Sequence, residues 1–525
     1  MPPGRMGARA PSSENREDRA VTEDGAAQGS ASSGAAGTAR SEDAHRKKRW
    51  VARNLPKVAT PMEYATYVVL SLGLVAWRLS SVTEKPPVYT GDKRIWAAIA
   101  EAPLFSREFL LARRPMLYPL LFKTGLSDAD VVLVQALISG FAWTLLAYAI
   151  AKFVWRPARI PVFALSLLAA LVTPVRAWDL VIRAESTSNS AIAFTIAAVL
   201  LFLDSLRKAG VQHIVWAALT CFFASSMALA RDSNPYILLL FVPAVIFAAY
   251  IIRSVWYVGY SRRVASVLVV ASWFTLSAIA AQWTARAAPR YDFPLMNVIF
   301  KRILPDPEKR AFFVTELGMP ISRQLLTRSG KFASSNGRYA YVQPQLEPFR
   351  EWLFTRGYES YQRYLITHLR QTIAEANAGF SAVVGYNPAR EGRSTQTPLT
   401  EFADAMFVDG ALKRCPLVAC TALLLLGIVG SIHNSWANRV LGGVVICLVW
   451  TALTQLYICY HADAMEVMRH SIAVGIALRL GVVAGIALLV NVLASLWPIL
   501  RRGWCVLFVR LGNWRRLAVE RARGS

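Results

Sequence analysis

The sequence predicts an all-helical polytopic membrane protein, and three observations carry that expectation. Hydrophobic residues make up 55% of the 525 and charged residues only 17%, with a mean hydropathy of +0.36, more apolar side chain than a soluble core needs. The apolar runs are long enough to cross hydrocarbon as helices, roughly 17 to 25 residues each. They lack the every-other-residue alternation of a membrane β-barrel. The net charge of +25 does not indicate nucleic acid, because the cations are dispersed among membrane loops and not gathered on a soluble module with base-stacking aromatics. Attraction to anionic lipid headgroups and phosphate accounts for them.

Taken in order, residues 1–55 are rich in Ala, Gly, Ser, Arg and Glu with almost no large apolar side chains, and read as a disordered cytoplasmic tail. No apolar stretch followed by a small-residue cleavage site precedes the first span, which is therefore expected to act as an uncleaved signal anchor. The cluster Arg46, Lys47, Lys48 and Arg49, with Arg53 and Lys57, holds its N-terminal flank in the cytoplasm. Spans are expected near 62–79, 130–154, 160–176, 188–205, 211–229, 236–252, 264–285, 416–432, 439–458 and 471–497. About ten crossings put both termini inside the plasma membrane. Arg156, Arg159, Arg207, Lys208, Arg253, Arg262, Arg263, Arg439, Arg501 and Arg502 then all fall on the cytoplasmic side. The loop 80–129 disagrees: Lys85, Lys93, Arg94, Arg107, Arg113, Arg114 and Lys123 lie outside, so either they have a task there or the run Met116–Leu121 enters the membrane. The stretch 56–285 forms an N-terminal bundle, 286–414 an extracytoplasmic helical segment, 415–500 the last membrane helices, and 501–525 a basic cytoplasmic tail. Trp504, Phe508, Leu511 and Trp514 among arginines give that tail the pattern of an interfacial amphipathic helix.

The six cysteines show no C-x-x-C spacing. Cys221, Cys420 and Cys447 read as small apolar fillers, whereas Cys415 and Cys459 fall at the outer ends of successive antiparallel spans, where a disulfide is geometrically possible. In the outer segment, Asp306-Pro307-Glu308 supplies a cap, a proline at the first helical position and an acid in the first turn, and Gly318 with Pro320 supplies a stop. Tyr361, Tyr364, Leu365, His368, Leu369 and Ile373 recur at helical spacing, which gives His368 a packing role.

Four polar clusters fall on the outer side. In Tyr89-Thr90-Gly91-Asp92, Asp92 is a candidate general base, ionised at neutral pH and near the membrane face; on the residues alone, a cap for the helical run Lys93–Ala102 is the safer reading. Arg113 and Arg114, in Arg113-Arg114-Pro115, can hold a phosphate by forked, charge-assisted bonds or snorkel to headgroups. Trp178-Asp179, Arg183 and Glu185 precede one span and Arg231-Asp232-Ser233-Asn234 follows another; charges so near membrane depth face a cavity or each other. Finally, His461-Ala462-Asp463 continues through Glu466 to Arg469-His470, where Arg469 and His470 can steady a phosphate while Glu466 orients them. Histidine and carboxylates together leave a divalent metal open, although no established zinc spacing is present.

In order and placement these motifs, with Arg113-Arg114-Pro115-Met116-Leu117-Tyr118-Pro119, resemble those of bacterial glycosyltransferases of the GT-C superfamily. Arg302-Ile303-Leu304-Pro305-Asp306-Pro307 and Gly318-Met319-Pro320 resemble an uncharacterised subgroup of it. The resemblance implies a GT-C-like bundle and transfer of a sugar from a polyprenyl-phosphate carrier to a glycan, lipid or protein acceptor in the cell envelope. By position it puts the catalytic base on Asp92, although many members carry a pair of acids in this loop and the nearest other carboxylate here, Glu101, follows a helical run. Arg113, Arg114, Glu185, Arg231, Asp232, Glu466, Arg469 and His470 become the substrate-binding set. The absence of a Rossmann or P-loop fingerprint agrees with a lipid-linked donor. Two other readings stand beside it: a flippase for a lipid-linked sugar, against which the lack of a clear internal repeat counts, and a scaffold of the same fold without activity.

Overall fold

The computed structural model describes residues 60–88, 92–208, 211–252, 260–288, 290–333, 343–386, 388, 396–433, 435–465 and 467–523. The N-terminal tail with its basic cluster, Tyr89–Gly91 and Glu466 lie outside the described residues, as do the side chains of Asp92 and of the C-terminal tail. Among the described residues the chain is helical, with a single isolated parallel bridge between Val88 and Val181.

Seven helices are long and apolar enough to cross a membrane, which makes this a multi-pass membrane protein by length and composition. We label them α1 (Pro61–Thr83), α2 (Asp128–Ala151), α3 (Ala184–Ser205), α4 (Gln212–Ala230), α5 (Tyr260–Ala287), α6 (Trp436–Ala462) and α7 (Ile472–Arg523). Local chemistry starts the first two. Thr60 and Glu63 form a capping box ahead of Pro61, and Ser127 and Asp130 form another ahead of α2. Two further expected spans, 236–252 and 416–432, meet shorter apolar stretches, Asn234–Phe247 and Pro416–Ile432.

The expected span 160–176 is not one helix. It is a twelve-residue helix, Arg159–Ala170, followed by a separate turn Thr173–Arg176 that carries Pro174. Proline has no N–H to continue the ladder, and its ring biases the preceding residue away from helical backbone. The buried guanidinium of Arg78 in α1 holds this break closed by pairing with Asp179 and donating to the carbonyl of Ala170 at 2.6 Å. Asp179 also accepts from Ser186 at 2.6 Å. Of the two places the sequence left open for this acid, a cavity or another charge, it takes the second, as a structural counter-ion. Val88 donates to Leu180 at 3.0 Å and accepts from Ile182 at 3.1 Å, which ties the loop after α1 to the stretch entering α3.

The outer segment divides in two. The described residues between Leu295 and Tyr364 enclose their own core, with Phe300, Phe313, Leu325, Phe349 and Trp352 inside. Its helix Pro307–Thr315 begins as the sequence suggests, Asp306 accepting from the backbone of Glu308 and Lys309, and Gly318 takes the left-handed backbone (φ +66°) that stops it. His368 stacks on Tyr364 and meets Phe312 edge-on, with ring centroids 4.8 and 4.6 Å away. The helices Phe380–Val384 and Pro398–Phe407 pack instead into the core of the bundle, through Phe380, Val384, Ala403 and Phe407. There the buried Arg479 of α7 donates to the carbonyls of Val384 (2.9 Å) and Phe407 (3.2 Å). Asp404 accepts from the backbone and hydroxyl of Thr173 at 2.8 and 2.6 Å.

Helix Pro416–Ile432 crosses α6 at glycine: a β-carbon on Gly442 would lie 2.5 Å from the carbonyl oxygen of Gly427. Small residues permit this approach of two backbones. Cys415 is exposed and Cys459 buried, and both are free thiols, so the disulfide considered above is not formed. α7 runs unbroken through the last expected span and the basic tail, 52 residues in all.

Candidate functional site

The chain's reversals bring the start of α3, the ends of α4 and α6, and the turn before α7 to the same end of the bundle. Glu185 lies in the first turn of α3 and is 4% exposed. Its Oε1 is 3.9 Å from Nη2 of Arg231, the residue that ends α4, and 3.4 Å from Nε of Arg469. Arg231 Nη2 also lies 3.0 Å from Nδ1 of His470. A guanidinium only donates, so Nδ1 is the acceptor and the ring proton sits on Nε2, which faces Asp463 Oδ2 at 3.6 Å. Asp463 Oδ1 accepts from the backbone of Met465 at 2.8 Å and from Asn297 at 3.2 Å. Asn297, wholly buried in the outer segment, accepts from the backbone of Ala333 at 2.8 Å, which anchors the acid to that segment's core.

Electrostatics widen the cluster. Burial, followed by the fields of Arg231, Arg469, Arg114 and Arg183, holds the pKa of His470 well below the ordinary imidazole value. The ring is therefore neutral at physiological pH. It is crowded by protein on most sides, yet 28% of its side chain stays accessible, against 12% for Arg231 and 14% for Arg469. The histidine is the most accessible of these side chains and Glu185, at 5%, the least. Burial also pushes the Asp463 carboxyl up to about 6, against the pull of Met465, Asn297, Arg469 and Arg302.

The motif Arg231-Asp232-Ser233-Asn234 is divided among tasks. Asp232 pairs with Arg290 at 2.8 Å, and Arg290 Nε donates to the carbonyl of Ala112 at 2.8 Å, so one buried guanidinium fastens this motif to the backbone just before Arg113 and Arg114. The backbone carbonyl of Asp232 accepts from Gln282 at 3.0 Å and that of Ser233 from Gln455 at 2.9 Å. Asn234 donates to Ser188 of α3 at 3.0 Å. Arg114 is half-buried and acts on His470, whereas Arg113 is exposed and makes none of these contacts. The last cluster divides as well. His461 lies 3.0 Å from both Tyr361 Oη and the Thr372 carbonyl, so it turns to the outer segment while His470 turns to the pocket.

Glu185, Arg231, Arg469 and His470 thus meet, with Arg114 in electrostatic reach. Asp232 supports them from behind through Arg290. Asp92 opens the helix Asp92–Glu101, but its side chain, like Glu466, lies outside the described residues. Sequence reasoning did not single out Arg290, Gln282 or Asn297. Their signal was faint: single polar residues at the end of α5 and just beyond it, with no motif around them. Guanidiniums converging on a partly accessible pocket can hold a phosphate or other oxyanion by charge-assisted bonds. Among the described residues no three His, Cys, Asp or Glu side chains are grouped to hold a metal ion. Neither the protein-family models nor the curated proteins provide a match to this chain.

Proposed function

We propose that this chain is a membrane glycosyltransferase of GT-C type, moving a sugar from a polyprenyl-phosphate carrier to an acceptor outside the cytoplasm. The observation that carries the reading is the gathering of Arg114, Arg183, Arg231 and Arg469 about Glu185 and His470 at one end of an apolar bundle. A phosphate attached to a lipid reaches such a place with its tail still among the helices. In this proposal the shorter apolar helices complete about ten passages in the plasma membrane, both termini are cytoplasmic, and the pocket faces outward.

The reaction is a single displacement. The acceptor oxygen bonds to the anomeric carbon as the bond from that carbon to the phosphate oxygen breaks, and the acceptor's proton passes to Asp92. Configuration is inverted because one displacement occurs. Negative charge grows on the departing lipid phosphate, and Arg231 and Arg469 stabilise it. Neutral His470, accepting from Arg231, holds that guanidinium in place. The outer segment, linked to the pocket through Asn297 and Asp463, helps form the acceptor side.

The test is transfer by the purified full chain in nanodiscs, with polyprenyl-phosphate sugars and envelope acceptors, beside Asp92→Asn. Product in the native chain only, with donor binding retained in both, is the expected result. Donor binding without release of polyprenyl phosphate under any acceptor would move the reading to a flippase, and equal turnover by the variant would return Asp92 to helix capping.

A further inference from the structure

At the end of the bundle opposite the arginine pocket, α1, α2 and the helix Arg159–Ala170 enclose a groove of ≈ 440 Å³. Its walls are almost wholly apolar, formed by Tyr67, Val68, Leu72, Phe141, Leu145 and Phe163. Val68, Leu72 and Phe141 are 55%, 63% and 59% exposed, so the groove opens sideways, where a bilayer would meet it. One polar atom in it lacks a partner: the hydroxyl of Thr144 is buried without a hydrogen bond. Across the groove, Ser71 satisfies its own hydroxyl on the Tyr67 carbonyl at 2.6 Å. The Thr144 hydroxyl is sealed from the groove surface, so the occupant meets apolar wall there.

The mouth is cationic. Tyr148 lines the groove, and Lys152 Nζ stands 5.9 Å over its ring. Lys152 and Lys208 share the carboxylate of Asp204 at 2.7 and 2.8 Å, and Arg156 lies 3.5 Å from Glu63. Three cations against two carboxylates leave one positive charge in excess. Lys208 and Arg156 remain 45% and 40% exposed.

From these features we infer that the groove binds one anionic glycerophospholipid, its acyl chain against Phe141 and Leu145 and its phosphate at Lys152, Arg156 and Lys208. A peptide would bring backbone groups that these walls cannot satisfy. A neutral lipid would leave the mouth uncompensated.

The test is native mass spectrometry of the full chain released from nanodiscs of equal phosphatidylglycerol and phosphatidylcholine. We expect one retained phosphatidylglycerol per chain, enriched at least tenfold over phosphatidylcholine. Ser71→Trp, which fills the groove, should abolish retention. Arg156→Gln with Lys208→Gln, both on the surface, should abolish the preference in a chain with unchanged circular dichroism and melting. Should the tryptophan impair folding, the surface pair decides alone. Equal retention of both lipids by the native chain, or enrichment that survives the surface pair, would overturn the inference, as would displacement of the phosphatidylglycerol by added polyprenyl phosphate.

Discussion

Because a guanidinium has hydrogens to give and no lone pair to offer, Arg231 keeps Nδ1 of His470 unprotonated and directs the ring's single proton toward Asp463. Asp463 is then the group that titrates in the useful range. It is neutral below its raised pKa of about 6 and charged above it. An added carboxylate charge opposes an anionic ligand, so affinity for a lipid phosphodiester, itself singly charged throughout, should fall a few-fold between pH 5 and 7. Asp463→Asn should flatten that profile; an unchanged slope in the variant would remove Asp463 from the pocket's electrostatics. The same shift bears on stability. Since the folded pKa lies above the ordinary carboxylate value, the native state holds the proton more tightly, and the stabilisation present at low pH is lost as pH rises through about 6. His470 works the other way: its lowered pKa makes stability rise as pH climbs toward the ordinary imidazole value, above which both states are neutral and the gain is complete. Two substitutions separate assembly from chemistry. Glu185→Gln leaves the Arg231 and Arg469 guanidiniums without the charge between them and should cost roughly 3 to 5 kcal/mol, seen as a lowered melting temperature. Arg231→Gln should lower transfer about 10² to 10³-fold with a smaller change in melting.

At the level of the helix, punctuation was readable and path was not. Asp306 and Gly318 gave start and stop signals for Pro307–Thr315, because capping depends on neighbours within a few residues. The run 160–176 misled because hydropathy counts apolar side chains and is blind to what a proline does to the ladder. The π turns at Ile299–Ile303 and Leu353–Gly357 carried no signal of comparable kind; both lie in the outer segment's core, where tertiary packing decides backbone register. The crossing of Pro416–Ile432 with α6 offers a stability test. Gly442→Val places a branched side chain where even a β-carbon would strike the Gly427 carbonyl. We expect destabilisation of about 1 to 3 kcal/mol, read as a drop in melting temperature in detergent, whereas Gly443→Val, at a position with open space, should be near neutral. Equal melting of both variants would mean that the two helices part easily at this crossing.

Across the whole molecule, what the sequence revealed about the candidate site was its sidedness. Placing apolar runs in order was enough to gather Glu185, Arg231, Arg469 and His470 at one end, since each lies at or beside the end of a span, and Arg114 in the loop that shares their side. It could not distinguish Arg113 from Arg114, because which neighbour turns inward depends on the Ala112 carbonyl being gripped by Arg290, 178 positions away. Nor could it separate Asp179 from Glu185: one lies just before α3 and the other in its first turn, and only the packing of α1 shows that Arg78 claims the first. The pocket draws its charges from widely separated parts of the chain, and that has a consequence for biosynthesis. Arg469 and His470 leave the ribosome roughly 12 to 50 seconds after Arg231 at ordinary translation rates. During that interval Glu185 has Arg231 as a counter-ion already made, so the half-built bundle need not hold a naked acid in the lipid. A chain interrupted before residue 469 would be insertable and electrically tolerable, yet unable to close its pocket.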